Sequence, residues 1–133
     1  MSMQLGPNTI LAMTLIMGAT LPAASAAGDA AKGQQLYGIR CVACHSVESN
    51  RVGPAHAGVL GRKAGSLPDY EYSPAVKKSR VIWTDKTLDA WLADPQRFIP
   101  GQKMGYAVPQ AQDRADLIAY LRTLPLAAKQ GTP

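Results

Sequence analysis

Cys41-Val42-Ala43-Cys44-His45 places two thiols and an imidazole in one short stretch. Two cysteines three positions apart on one helical turn can reach the two vinyl groups on adjacent edges of a porphyrin. A histidine directly after them falls under the iron and can donate a ring nitrogen to it. C-x-x-C-H is the spacing of covalent haem attachment. Other uses of these residues fit less well. A redox dithiol of this spacing sits between a strand and a helix, and the sequence shows no strand alternation. A structural zinc site takes four ligands. The chain has 2 Cys and 2 His, and His56 is not spaced as a finger ligand. A disulfide across two intervening residues would be strained and would staple little.

The chemistry of a haem so attached turns on its sixth position. An open position binds gas or peroxide; a filled one suits electron transfer. Of the 5 methionines, Met1, Met3, Met13 and Met17 lie in an N-terminal apolar segment, which leaves Met104. A lone methionine is usually a core filler. Met104 instead sits on a polar loop flanked by Gly101 and Gly105, where backbone can wrap closely round a ligand. His56 is a second candidate donor, although a histidine in such a loop is more often half-buried or solvated.

These groups need elements to hold them. Helical periodicity predicts a helix over residues 29–40, with Gly33, Leu36 and Tyr37 on one face and Asp29 in its first turn, where negative charge suits the dipole. A second is predicted over residues 87–93, where Leu88, Trp91 and Leu92 share a face, Asp85 caps the start and Pro95 stops it. The third covers residues 111–124, with a stripe of Leu117, Leu121 and Leu124 joined by Ile118 and ended by Pro125. A short turn over residues 73–78 has Ser73 as cap and Pro74 at the first helical position. Residues 46–72 and 95–110 read as loops. Loops this long in a small domain are commonly functional. Aromatic residues make up only 6% of the chain, so the protein core is thin and a cofactor would complete it.

The first 27 residues carry no charged side chain. An apolar run over residues 9–21 is followed by Ala24-Ser25-Ala26, the small-x-small pattern of a signal peptidase site. Residues 1–27 are therefore expected to be a cleaved signal peptide, leaving residues 28–133 as one domain. The segment before the run has no Lys or Arg, which leaves an uncleaved anchor or a misassigned start as alternatives. The 14 basic and 9 acidic residues all follow residue 27, so the exported part keeps the net charge of +5. The basic residues are scattered, which argues against nucleic acid and for acidic protein partners or simple solubility.

The ordered set of residues resembles the class I c-type cytochromes, the mitochondrial and bacterial short cytochrome c family. It comprises Cys41-Val42-Ala43-Cys44-His45, Gly53-Pro54, Gly61-Arg62-Lys63, Tyr70-Glu71-Tyr72, Trp83, Ile99-Pro100-Gly101 with Met104, and Arg114-Ala115-Asp116-Leu117-Ile118-Ala119-Tyr120-Leu121. The resemblance implies an all-α class I cytochrome c fold, three to five helices wrapped round one covalent haem c. It implies Cys41 and Cys44 as attachment points, His45 as proximal ligand and Met104 as distal ligand. The Pro54 carbonyl would accept from His45. Arg62, Tyr72 and Trp83 would hold the buried propionates, which need polar partners. Gly33 and Tyr37 would meet Leu117 and Tyr120 where the terminal helices cross.

The sequence departs from the mitochondrial pattern at several positions. Val76 stands in place of Asn, Trp91 in place of Tyr, Gln102 in place of a Thr that reaches a propionate, and Tyr106 in place of Phe. Of the basic ring round the haem edge, Arg40, Arg97 and Lys103 match, while Gln96, Gln110 and Gln112 replace Lys at or near ring positions. The implied function is a monomeric periplasmic one-electron carrier between a respiratory, photosynthetic or dehydrogenase donor and an oxidase or similar acceptor. It would not be an enzyme in its own right. The alternatives are a haem subunit dedicated to one dehydrogenase complex, and a haem enzyme or sensor with a labile Met104.

Overall fold

Asp29 opens the first helix from outside it. In the computed structural model, which describes Ser2 and residues 27–125, helix α1 spans Ala30–Arg40 and Asp29 is its cap, accepting from the N–H groups of Ala31 and Lys32. The carboxylate thus satisfies two of the four orphan donors of the helix start. This differs from the expected place in the first turn. Helix α2, Pro74–Lys78, follows the expected form, with Ser73 accepting from Val76 N–H and Pro74 at the first position.

Helix α3, Asp85–Ala93, starts two residues earlier than its periodicity indicates. Its cap is Thr84, not Asp85: the Thr84 side chain accepts from Thr87 N–H and the Thr87 hydroxyl accepts from Thr84 N–H. Asp85 becomes a first-turn residue. Pro95 does end α3, and it also begins α4, Pro95–Phe98, with Asp94 accepting from Arg97 N–H. The loop expected over residues 95–110 therefore contains one helical turn. Four residues are too few to show a period, and the signal lay in the Asp-Pro pair. Helix α5, Ala111–Thr123, stops one residue short of the expected end.

Among the described residues there is no strand, only an isolated antiparallel bridge between Lys63 and Ile82. Helices α1 and α5 cross closely, and α3 packs on both α5 and α4. The crossing requires glycine: a Cβ on Gly33 would lie 1.9 Å from the Asp116 carbonyl oxygen. Tyr37 and Tyr120 meet across it with ring centroids 5.2 Å apart. Asp116, buried in the seam, accepts from Asp29 N–H at 2.8 Å and from the Gln112 amide at 2.9 Å. Leu117 is 1% exposed, and burying a leucine stabilises by roughly 1.5–3 kcal/mol. Val59, Val76, Trp83, Leu88, Leu92, Ile99 and Val108 continue the core across the loops. Val108, absent from the sequence reading, is as buried as Leu117 and donates its N–H to the Leu92 carbonyl.

Candidate haem site

The attachment motif continues α1 by one turn. Cys41 N–H donates to the Tyr37 carbonyl at 2.9 Å, and the N–H groups of Cys44 and His45 both donate to the Cys41 carbonyl, at 3.1 and 2.8 Å. That turn sets the two thiols and the imidazole at the end of a helix anchored by the crossing with α5. Both cysteines are free; Cys41 is half-buried and Cys44 exposed. Burial pushes the Cys41 thiol up to about 11, with Arg40 opposing and Cys44 adding. A nucleophilic redox cysteine requires the opposite shift, so Cys41 is not an activated thiol.

His45 is oriented by its neighbours. Its Nδ1 lies 2.8 Å from the Pro54 carbonyl. A carbonyl only accepts, so Nδ1 carries the proton and Nε2 keeps a free lone pair, the arrangement a metal-ligating histidine needs. Burial lowers the His45 pKa, against the Pro54 bond, which raises it, so burial favours the neutral ring. Gly53 closes the other side. A Cβ there would sit 2.2 Å from His45 Cε1 and within 2.6 Å of both ring nitrogens. Gly53 N–H donates to the Cys44 carbonyl at 2.8 Å. The loop after the motif thus folds back flat against the ring, and only glycine permits that approach.

His56 lies against the same imidazole. The two rings stack with centroids 4.1 Å apart and an interplanar angle of 20°. His56 Nδ1 is hydrogen-bonded to the Tyr37 hydroxyl at 3.0 Å. Burial, then the nearby charge positions of His45 and Arg62, push His56 down to about 3, and burial raises Tyr37 to about 12, so both are neutral at ordinary pH. A ring stacked on His45 with one nitrogen engaged is not placed to reach an iron from the side opposite His45. The candidacy of His56 as a second donor is not supported by this geometry.

Met104 is half-buried and packs against the core. Its N–H donates to the Gln102 side-chain oxygen, and the Gln102 amide reaches Gln96 at 3.3 Å. Gln102, read from the sequence as a lost propionate contact, braces the Met104 backbone. Of the flanking glycines, Gly101 has φ +88° and needs its freedom, whereas Gly105 has open space round it and no positive φ. Arg62, Tyr72 and Trp83 come to one region. Trp83 N–H donates to the Arg62 carbonyl at 2.9 Å. Arg62 and Tyr72 lie close enough to alter each other's ionisation. The Arg62 guanidinium is half-buried and donates to the carbonyls of Ala57 and Ala55 at 2.9 and 2.8 Å. It lines a 210 Å³ cavity with Asn50, Ala55, Ala57 and Leu67. Trp83 is 9% exposed and packs on Trp91, 5.4 Å between ring centroids.

Among the described residues no cluster of three His, Cys, Asp or Glu side chains assembles that could hold a metal ion unaided. The groups at the end of α1, two thiols on one turn and an imidazole with Nε2 free, fit a porphyrin-bound iron instead, and Met104 offers a thioether from a separate, braced loop.

Comparison with known proteins agrees. The family model for cytochrome c matches residues 30–125. The chain belongs to the cytochrome c family. As a family member it is a monohaem electron carrier rather than an enzyme, holding one covalent haem c. It is 46% identical over 101 residues to cytochrome c of Gibberella zeae, covering 73% of this chain and 95% of that one. It is 45% identical over 100 residues to cytochrome c2 of Rhodopila globiformis, covering 73% and 94%. The solved structure of cytochrome cH from Methylobacterium extorquens superposes with a TM-score of 0.69 at 44% identity, covering 72% of this chain and 99% of that one. The all-α class I fold expected from the sequence is the fold of this cytochrome c family member.

Proposed function

We propose that this chain shuttles single electrons in the periplasm, with Cys41 and Cys44 as thioether anchors and His45 and Met104 as the axial ligands. The supporting observation is the hydrogen bond from His45 Nδ1 to the Pro54 carbonyl, which leaves Nε2 as a fixed donor. When bound, haem c supplies an iron that alternates between ferrous and ferric states. His45 and Met104 hold their places through backbone contacts independent of that state, so little rearrangement accompanies transfer, and Met/His ligation favours a high potential. Arg62, Tyr72 and Trp83 offer a guanidinium, a hydroxyl and an indole N–H to the propionates. Acidic redox proteins are the partners, met by a monomer through Arg97 and Lys103.

Residues 1–27 act in this reading as the export signal and residues 28–133 as the electron-carrying domain. The apolar segment lies outside the described residues apart from Ser2 and Ala27. None of the described helices is long and apolar enough to cross a membrane. N-terminal sequencing of the periplasmic fraction tests the location, the expected start being Ala27 or Gly28. Acid–acetone extraction of that protein tests the anchors: haem stays with the polypeptide, and its release overturns the assignment of Cys41 and Cys44. A ferric spectrum with the weak long-wavelength band of sulfur ligation supports Met104; a high-spin spectrum refutes it.

A further inference from the structure

The hydrogen bond between Tyr37 and His56 lies inside the crossing of α1 with the loop that follows the attachment motif. The face of His56 rests on His45. Three contacts therefore fix the His45 imidazole: the Pro54 carbonyl at one edge, the Gly53 backbone against one part of the ring, and the stacked His56 ring. The first sets which nitrogen is free. It leaves rotation about the hydrogen-bond axis as the remaining freedom, and stacking on a second planar ring removes that freedom. The second ring is held in turn. Tyr37 is 4% exposed and sits edge-on to His56, 5.6 Å between centroids, with its hydroxyl on Nδ1. Tyr37 itself is clamped by Tyr120 across the helix crossing. An apolar side chain at position 56 could fill the space but could not be pinned in one orientation by a hydroxyl.

We infer that Tyr37 and His56 are positioning residues that fix the plane of the His45 imidazole and through it the electronic state of the iron. The inference rests on His45 being the axial ligand. A polar ring stacked on the ligating imidazole would also favour the ferric state, which carries one more positive charge than the ferrous. Replacing His56 by an aliphatic residue therefore raises the reduction potential. The assignment gives the polar pair a task that plain packing would not require, since two apolar residues would fill the same core without needing a partner for each polar atom.

The test uses the holoprotein and three variants: His56→Leu, Tyr37→Phe and the double variant. Tyr37→Phe keeps the ring against Tyr120 and removes only the hydroxyl, so it retains the fold. Proton NMR of the ferric protein reads the haem methyl shifts, whose spread follows the orientation of the axial imidazole. Both single variants are expected to redistribute those shifts. His56→Leu is also expected to raise the potential, and the double variant to match His56→Leu, because the hydroxyl acts only through His56. Unchanged methyl shifts in both single variants, with only a lower melting temperature, overturn the proposal and leave the pair as core packing. Additive effects on the methyl shifts overturn the coupling of Tyr37 to His56. A His45→Ala protein that keeps its low-spin spectrum overturns the ligand assignment itself, a separate failure read from a different variant.

Discussion

The groups proposed to meet the iron are set by their immediate neighbours. The Pro54 carbonyl selects the His45 tautomer, the Gly53 backbone limits where the ring can lie, and the Gln102 amide oxygen holds the Met104 N–H. The brace on Met104 acts on backbone, so it survives loss of the thioether. Met104→Ala is thus expected to fold and to keep its haem, while the potential falls and the sulfur band disappears, because Met/His ligation raises the potential. Potentiometric titration with visible spectroscopy checks this. An unchanged potential and spectrum would mean that another group occupies the sixth position. His56 is not that group in this geometry, since it is stacked on the opposite ligand candidate.

The elements owe their arrangement to the seam between α1 and α5. An alanine at position 33 would bring a methyl carbon to 1.9 Å from the Asp116 carbonyl oxygen. Backbone on the far side cannot swing away as a flexible side chain would. Gly33→Ala is expected to force the helices apart and to destabilise by about 1–3 kcal/mol, at the upper end of that range for overpacking; guanidinium denaturation measures it. Asp116 ties the same seam at its N-terminal end. Its pKa is held below the ordinary 3.8, chiefly by the Asp29 N–H, then by the Gln112 amide and Lys32. A depressed carboxyl pKa favours the ionised fold, so the contribution is complete above the unfolded value and is lost as pH falls through the folded one. The stability gap between the parent and Asp116→Asn is expected to be full at pH 7, to begin closing near the ordinary carboxyl value of about 4, and to be gone only below the lower folded value. Denaturation midpoints across that range test it; a gap independent of pH would mean that the hydrogen-bond geometry alone matters.

At the scale of the whole molecule, the net charge of +5 belongs to the part after residue 27, but not all of it is free to steer a partner. Arg40, expected in the basic ring, is paired with Asp113 at 2.9 Å and bonded to the Tyr106 hydroxyl at 3.2 Å. Arg97 and Lys103 are exposed. Steering by surface charge is screened as the Debye length falls from about 30 Å at 0.01 M to about 10 Å at 0.1 M salt. Electron transfer with an acidic partner is therefore expected to slow with ionic strength, less steeply than for a relative with a full lysine ring. Lys103→Glu should slow it most at low salt. Lys129→Glu, at a position outside the described residues, serves as the comparison variant. Stopped-flow rates across a salt series decide it: a rate that is flat or rises with salt assigns docking to apolar contact.

Local chemistry was readable because it depends on neighbours in the chain. The C-x-x-C-H turn, the Ser73-Pro74 start, the stripe of Leu117 and Leu121, and the end of α3 at Pro95 each follow from spacing and from the limits that proline and capping side chains impose on nearby backbone. The ordered motifs extended that reading to the cytochrome c family and its all-α fold. Thr84 rather than Asp85 caps α3 because the Thr84–Thr87 pair, only three residues apart, satisfies both N–H groups; that signal was local and legible in the sequence. Contacts between distant segments were not readable in this way. Val108 is buried in the core where its N–H also meets the Leu92 carbonyl. The pairing of Arg40 with Asp113 and the stack of His56 on His45 depend on where loops return. A partner brought in from another segment is set by packing in three dimensions, so these longer-range contacts were decided only by the tertiary structure.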